Sequence, residues 1–222
     1  MIYKEIKPDF KKALEKANDI LISSDLIYGF PFSIVKVIKE KSGIQCKKYY
    51  YASTLGIDMF MFGSEDAILI SKDKKYIIFF NDEIENKSRK RFSIGHEFGH
   101  YMLDHNLNFK SMYDVYEIEA NFFVAQLYMP EQVINELKKR GKMITVSNLM
   151  KWFGVSRMAA EKRISTLRKI DFEYRTPQER MVDEGILYKF SEFIDSVAPK
   201  TTTFYIDYEE DELQKERNSW LY

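Results

Sequence analysis

Apolar side chains recur at helical spacing over residues 9–41: Phe10, Leu14, Ala17, Ile20 and Leu21 fall three or four apart. After the break at Gly29, Phe30 and Pro31 the pattern resumes with Ile34, Val35 and Ile38. From 44 to 80 the period shortens. Segments 45–52, 57–62, 67–71 and 76–81 are rich in β-branched and aromatic residues and are separated by Gly, Asp, Ser and Lys, which predicts short strands in a small, largely antiparallel sheet. Helical patterns return over 88–105, 114–128, 131–140, 146–153 and 156–169, with breaks at Pro130, Gly141 and Gly154. In the tail, Leu187, Phe190 and Ile194 predict a helix, 201–208 a strand and 209–220 an acidic helix. Helices before and after a compact sheet define an α+β fold.

Composition narrows the setting. The chain has 222 residues, 45% hydrophobic and 31% charged, with zero formal net charge. These values describe a folded globular chain with no overall electrostatic pull toward nucleic acid or membrane. Cys46 is the single cysteine, which excludes an intramolecular disulfide and fits a reducing compartment. No apolar run approaches the ~18 residues of a membrane helix, and the first residues have no signal-peptide character. A cytoplasmic location is expected.

The chemistry concentrates in one place. All three histidines lie between His96 and His105, and His96-Glu97-Phe98-Gly99-His100 is an HExxH motif. Residues four apart on a helix project from nearly the same face one turn up. Two imidazoles can therefore share a tetrahedral zinc, with Glu97 beside them as general base. Ile94, Phe98, Tyr101 and Met102 supply an apolar stripe to bury the back of that helix. Gly95 and Gly99 each cost about 1 kcal/mol of helix stability relative to Ala, and their presence predicts a second segment packed closely there.

A hydrolytic zinc site needs a third protein ligand and an open position. His105 follows His100 by five residues, not six, and Leu103 occupies the place of the metzincin glycine, so that class is excluded. The segment 115–130 offers Glu117 and Asn121 on one helix face. Glu117 is the favoured ligand, and the Asn121 amide is expected to orient a histidine from behind. Glu119 projects about 200° away on an ideal helix and is the reserve choice. Tyr101, Tyr113 and Tyr116 are all available to stabilise an oxyanion, and the sequence does not choose among them.

These residues bring a family into view. The run Phe92-Ser93-Ile94-Gly95-His96-Glu97-Phe98-Gly99-His100-Tyr101 is followed by Glu117, Ala120, Asn121 and Phe123, and then by Leu127, Met129 and Pro130. In this the chain resembles the ImmA/IrrE metallopeptidases over roughly residues 30–170. The resemblance implies zinc held by His96, His100 and Glu117, with Glu97 as general base. It also implies a protein substrate, in particular a helix-turn-helix transcriptional repressor. It divides the chain into a zincin-like core at 1–130, a helical extension at 131–170 and a tail at 171–222 outside the resemblance. Val124 stands where relatives carry alanine.

Residues 145–169 have the helix, glycine turn, helix rhythm of a helix-turn-helix. Between 136 and 170 there are ten Lys/Arg against two Glu, enough to track phosphates. Packing of Leu149, Phe153, Val155, Ile164 and Leu167 onto the core accounts for the same pattern and is preferred, with DNA the lesser expectation. The alternative to a peptidase is a metal-containing binding or regulatory module, toxin–antitoxin-like or DNA-binding, without proteolysis. The intact Glu97 argues against it, because a structural zinc has no use for a general base and is closed by four protein ligands.

Overall fold

A computed structural model describes residues 7–58, 66–72, 75–106, 110–170, 172 and 174–200. Helix α1 (Phe10–Ser23) starts at Asp9, whose carboxylate accepts from the Lys12 amide at 2.9 Å, a standard N-cap. It buries Ala13, Ala17, Ile20 and Leu21. Helix α2 (Ile34–Ser42) buries Ile34, Val37 and Ile38. The helical reading of 9–41 therefore holds on both sides of the predicted break.

Strand β1 (Gln45–Lys48), helix α3 (Tyr49–Thr54) and strands β2 (Ala67–Lys72) and β3 (Lys75–Phe80) follow. The sheet order is β1-β3-β2; β2 and β3 form an antiparallel pair, and β1 joins β3 in parallel. The α+β class is as expected, whereas the sheet is mixed. The chain leaves β1 through α3 and comes back along β2 in the opposite direction, and because β3 is antiparallel to β2 it runs the same way as β1. The β-prone stretch 45–52 splits, its second half becoming α3. Local propensity yields there because Ala52 buries against Phe79 on one face of the sheet. Ile78 faces the opposite side and joins the main core. Ile57 and Asp58 are not in a strand, and the rest of the segment 57–62 lies outside the described residues.

The long helices α4 (Lys87–Met102) and α5 (Tyr113–Tyr128) come next, then α6 (Glu131–Lys139), α7 (Val146–Phe153), α8 (Arg157–Leu167), α9 (Pro177–Lys189) and α10 (Ser191–Val197). Caps mark their starts: Asn86 accepts from the Ser88 and Arg89 amides before α4, and Thr176 with Glu179 forms a capping box before α9. Gly154 ends α7 at φ 61°, the left-handed conformation that favours glycine. One contiguous apolar core draws on α1, α2, β3, α4 to α8, α9 and α10. The predicted strand 201–208 and helix 209–220 lie outside the described residues.

The basic segment is tied inward. Leu149, Phe153, Val155 and Ala160 are buried, as packing predicts. Arg163 is also buried; its Nε donates to the Met129 carbonyl at 2.9 Å and its guanidinium bonds Gln126. Arg91 of α4 donates to the carbonyls of Phe153 and Gly154 at 2.7 and 3.0 Å, fastening α7 to the HExxH helix. Arg140 is held by Glu136 and Asp195. Two of the ten counted cations, Arg163 in the core and Arg140 between helices, are therefore engaged within the fold.

Candidate metal centre

Helix α4 carries His96, Glu97 and His100, and α5 carries Glu117. The two helices can approach only where a side chain is missing. A Cβ built on Gly99 would lie 3.0 Å from a Phe123 ring carbon and 3.3 Å from the Ala120 backbone. One built on Gly95 would lie 2.5 Å from the Tyr128 hydroxyl and 2.7 Å from Val124. Both glycines thus mark the close packing that the sequence predicts, and the partner is α5.

This crossing brings three groups to one point. His96 Nε2 lies 3.0 Å from His100 Nε2. Glu117 places Oε2 at 3.2 Å from the first and Oε1 at 3.2 Å from the second. Among the described residues these three form a group suited to holding a metal ion. Ligand atoms around a tetrahedral zinc with bonds of about 2.0–2.1 Å sit about 3.3 Å apart, close to these separations. Two imidazole nitrogens and a carboxylate turned toward one point are ligand atoms of the kind that a zinc-type ion takes, so the donor set fits such an ion. The His100 side chain is 2% exposed, His96 14% and Glu117 31%, leaving one side of the cluster open.

Electrostatics separates the two acids. Burial raises the Glu97 carboxyl above its usual value, against the lowering pull of His96, His100 and a hydrogen bond from the Leu69 amide. That amide, on edge strand β2, donates to Glu97 Oε2 at 2.8 Å. Burial would also raise Glu117, but hydrogen bonds with His100 and His96 outweigh it and hold the group well below the carboxylate range. The two carboxyls are thus shifted in opposite directions, Glu97 upward and Glu117 downward.

The predicted tyrosines separate as well. Tyr101 packs edge-on to Tyr76 and parallel to Phe98, and Tyr116 stacks on His105 at 4.2 Å. Tyr113 is half exposed, and its hydroxyl pKa is raised by the charge of nearby Glu117, by burial and by Glu97. It therefore remains a neutral donor at the mouth of the cluster.

Asn121 does not take its expected place. It is exposed, and its Nδ2 donates to the Glu117 backbone carbonyl at 2.7 Å, one turn back in α5. The amide is spent within its own helix and does not reach a histidine. Glu119 turns away from the cluster, as the 200° separation predicts, and meets His105. Sequence reasoning missed the Leu69 amide and the His105–Glu119 pair. The Leu69 amide leaves no side-chain signal. The pair was signalled only by the clustering of all three histidines.

The peptidase M78 family model, described as the IrrE N-terminal-like domain, matches residues 36–165. The match covers more than half of the chain, including α4, α5, α7 and most of α8, and the chain belongs to this family. Family membership and the His-His-Glu cluster together support a metallopeptidase. No curated protein matches the chain. No helix among the described residues is long and apolar enough to cross a membrane.

Proposed function

We propose that the chain is a zinc-dependent endopeptidase of the HExxH type, with His96, His100 and Glu117 holding the ion and Glu97 as general base. The convergence of the two Nε2 atoms and the Glu117 carboxylate beside a partly buried Glu97, whose carboxyl is raised above its usual value, carries this reading. A zinc ion there supplies Lewis acidity to the scissile carbonyl and to the attacking water. Glu97 takes the proton of that water and returns it to the leaving amine, held at its other oxygen by the Leu69 amide. Glu117 stays ionised throughout. Tyr113, a neutral hydroxyl at the open side, is the group available to donate to a developing oxyanion.

The substrate in this reading is a regulatory protein, a helix-turn-helix repressor cut at a specific site in the cytoplasm. The support is the family resemblance, together with family membership in a peptidase class. The zincin-like core at 1–130 carries the chemistry, 131–170 buttresses it, and 171–222 has no assigned part. The test begins with metal content of the purified protein beside its His96→Ala and Glu117→Ala variants. About one zinc per chain, lost in both variants, is expected. A chain that neither contains zinc nor takes it up on titration overturns the reading and leaves a binding module with an idle motif.

A further inference from the structure

Helix α4 ends immediately behind the metal cluster, in a turn that folds the chain back on itself. Asp104 has φ 58°, the His105 amide donates to the His100 carbonyl at 3.0 Å, and the Asp104 amide donates to the Tyr101 carbonyl at 3.1 Å. This is the Schellman closure, with Asp in the left-handed position that Gly or Asn usually fills. Its consequence is spatial. His105 does not continue along the helix toward the ion but is laid against the back of His100, Nδ1 to Nδ1 at 2.8 Å. Its side chain is 2% exposed.

The far side of His105 is equally determined. Its Nε2 lies 2.8 Å from Glu119 Oε2, and the other Glu119 oxygen accepts from the Asp9 amide at 2.6 Å, at the start of α1. Tyr116, one helical turn before Glu119, stacks on the imidazole face. Lys12 bonds the Leu103 carbonyl next to the turn. Three elements thus converge to hold one imidazole that faces no solvent and does not contribute to the cluster of His96, His100 and Glu117.

We propose that His105 and Glu119 are positioning residues that fix the tautomer and ring orientation of His100. The chain of donors admits one arrangement that leaves the His100 Nε2 lone pair free. Glu119, acceptor-only when ionised, takes the proton on His105 Nε2. His105 Nδ1 is then an acceptor and takes the proton on His100 Nδ1. His100 Nε2 consequently points its lone pair toward His96 and Glu117. A carboxylate acting through one imidazole on a ligating imidazole extends the familiar carboxylate–histidine–metal arrangement by one ring. The inference rests on the proposed ligand set of His96, His100 and Glu117.

The test is zinc affinity of the full chain, measured by competition with a chromophoric chelator. The variants are His105→Phe, His105→Asn and Glu119→Gln, with His96→Ala as the reference for loss of a direct ligand. His105→Phe keeps the ring stacked on Tyr116 but removes the acceptor, and a loss of about 10–100-fold is expected. His105→Asn sets an amide oxygen where Nδ1 stood and recovers part of that loss. In the zinc-loaded wild-type chain, long-range proton–nitrogen spectra are expected to show His105 as the Nε2–H tautomer, a readout that needs no variant to fold. Undiminished affinity in His105→Phe, or an Nδ1–H tautomer at His105, overturns the proposal while leaving the metal site standing. A wild-type chain that takes up no zinc overturns the ligand set and this proposal together.

Discussion

Replacing Gly95 with Ala sets two physical effects against each other. Alanine is the better helix former by about 1 kcal/mol in a helix interior, so propensity alone predicts stabilisation. The new methyl would arrive 2.5 Å from the Tyr128 hydroxyl and 2.7 Å from Val124 Cγ2. Neither neighbour can swing aside. Val124 and Tyr128 are buried, and the Tyr128 ring is fixed between the Arg91 guanidinium, 4.7 Å above it, and Phe32. Overpacking of this kind costs about 1–3 kcal/mol. Displacing Tyr128 also breaks the 2.7 Å hydrogen bond that its hydroxyl donates to the Arg91 carbonyl, and leaving that buried hydroxyl unpaired costs about 1–3 kcal/mol more. Sterics wins, with a net loss of about 3 kcal/mol. For a chain of this size that lowers Tm by about 6–12 °C. Gly185→Ala in α9 is the control, since the nearest atom to its new Cβ is Ile22 Cδ1 at 3.7 Å, an ordinary contact. It keeps the propensity gain without the clash and should raise Tm by about 1–4 °C. Thermal melts of both chelator-treated variants decide the matter, because removing metal keeps binding out of the comparison. A Gly95→Ala protein that melts at or above wild type would falsify the claim that this glycine exists to admit α5.

Gly99→Ala should move α5 outward by a few tenths of an ångström, because its Cβ meets Ala120 backbone; we expect weaker zinc binding than in Gly185→Ala, and equal affinities would sink the account. Glu97→Gln should retain zinc and lose proteolysis, and continued cleavage of an identified substrate would reject the general base. Burial raises the Glu97 carboxyl, so between its ordinary and folded values the native chain keeps a proton that the unfolded chain releases, and stability falls as pH rises through that window. Metal-free Glu97→Gln should therefore melt above wild type at pH 7, with the difference fading in acid below the ordinary carboxylate value; a lower melt at pH 7 contradicts the burial argument. Glu117→Ala should reduce zinc affinity more than Glu119→Ala, whose effect is expected at about 10–100-fold; the reverse order would exchange their roles.

Much of the site was readable without coordinates because its information is local. The HExxH spacing puts His96 and His100 on one face whatever the rest of the chain does. The 200° between Glu117 and Glu119 follows from helix geometry alone, and the structure indeed sends them to different partners. Gly95 and Gly99 announced a close neighbour because two glycines in a buried helix need a steric reason. The helices, their breaks and the α+β class follow from the period of the apolar positions. Family membership was likewise legible in the linked motifs.

What the sequence could not decide depends on pairings between distant segments. The register and direction of β1 are set by which strand it meets: β1 lies parallel to β3 because β2, antiparallel to β3, comes between them in the chain, and α3 forms where tyrosines had predicted more strand. Asn121 has the right spacing to serve a histidine, yet a backbone carbonyl one turn away satisfies it first. The His105–Glu119 pair requires a left-handed turn at Asp104, a stacked Tyr116 and the amide of Asp9, contributed from 110 residues away in sequence. Helical spacing ties together residues that share one element, and so the sequence by itself placed His96 and His100 on one helix face with Glu97 beside them. Hydrogen bonds between elements depend on how the elements pack, and only the tertiary structure decided that His105 and Glu119 stand behind His100.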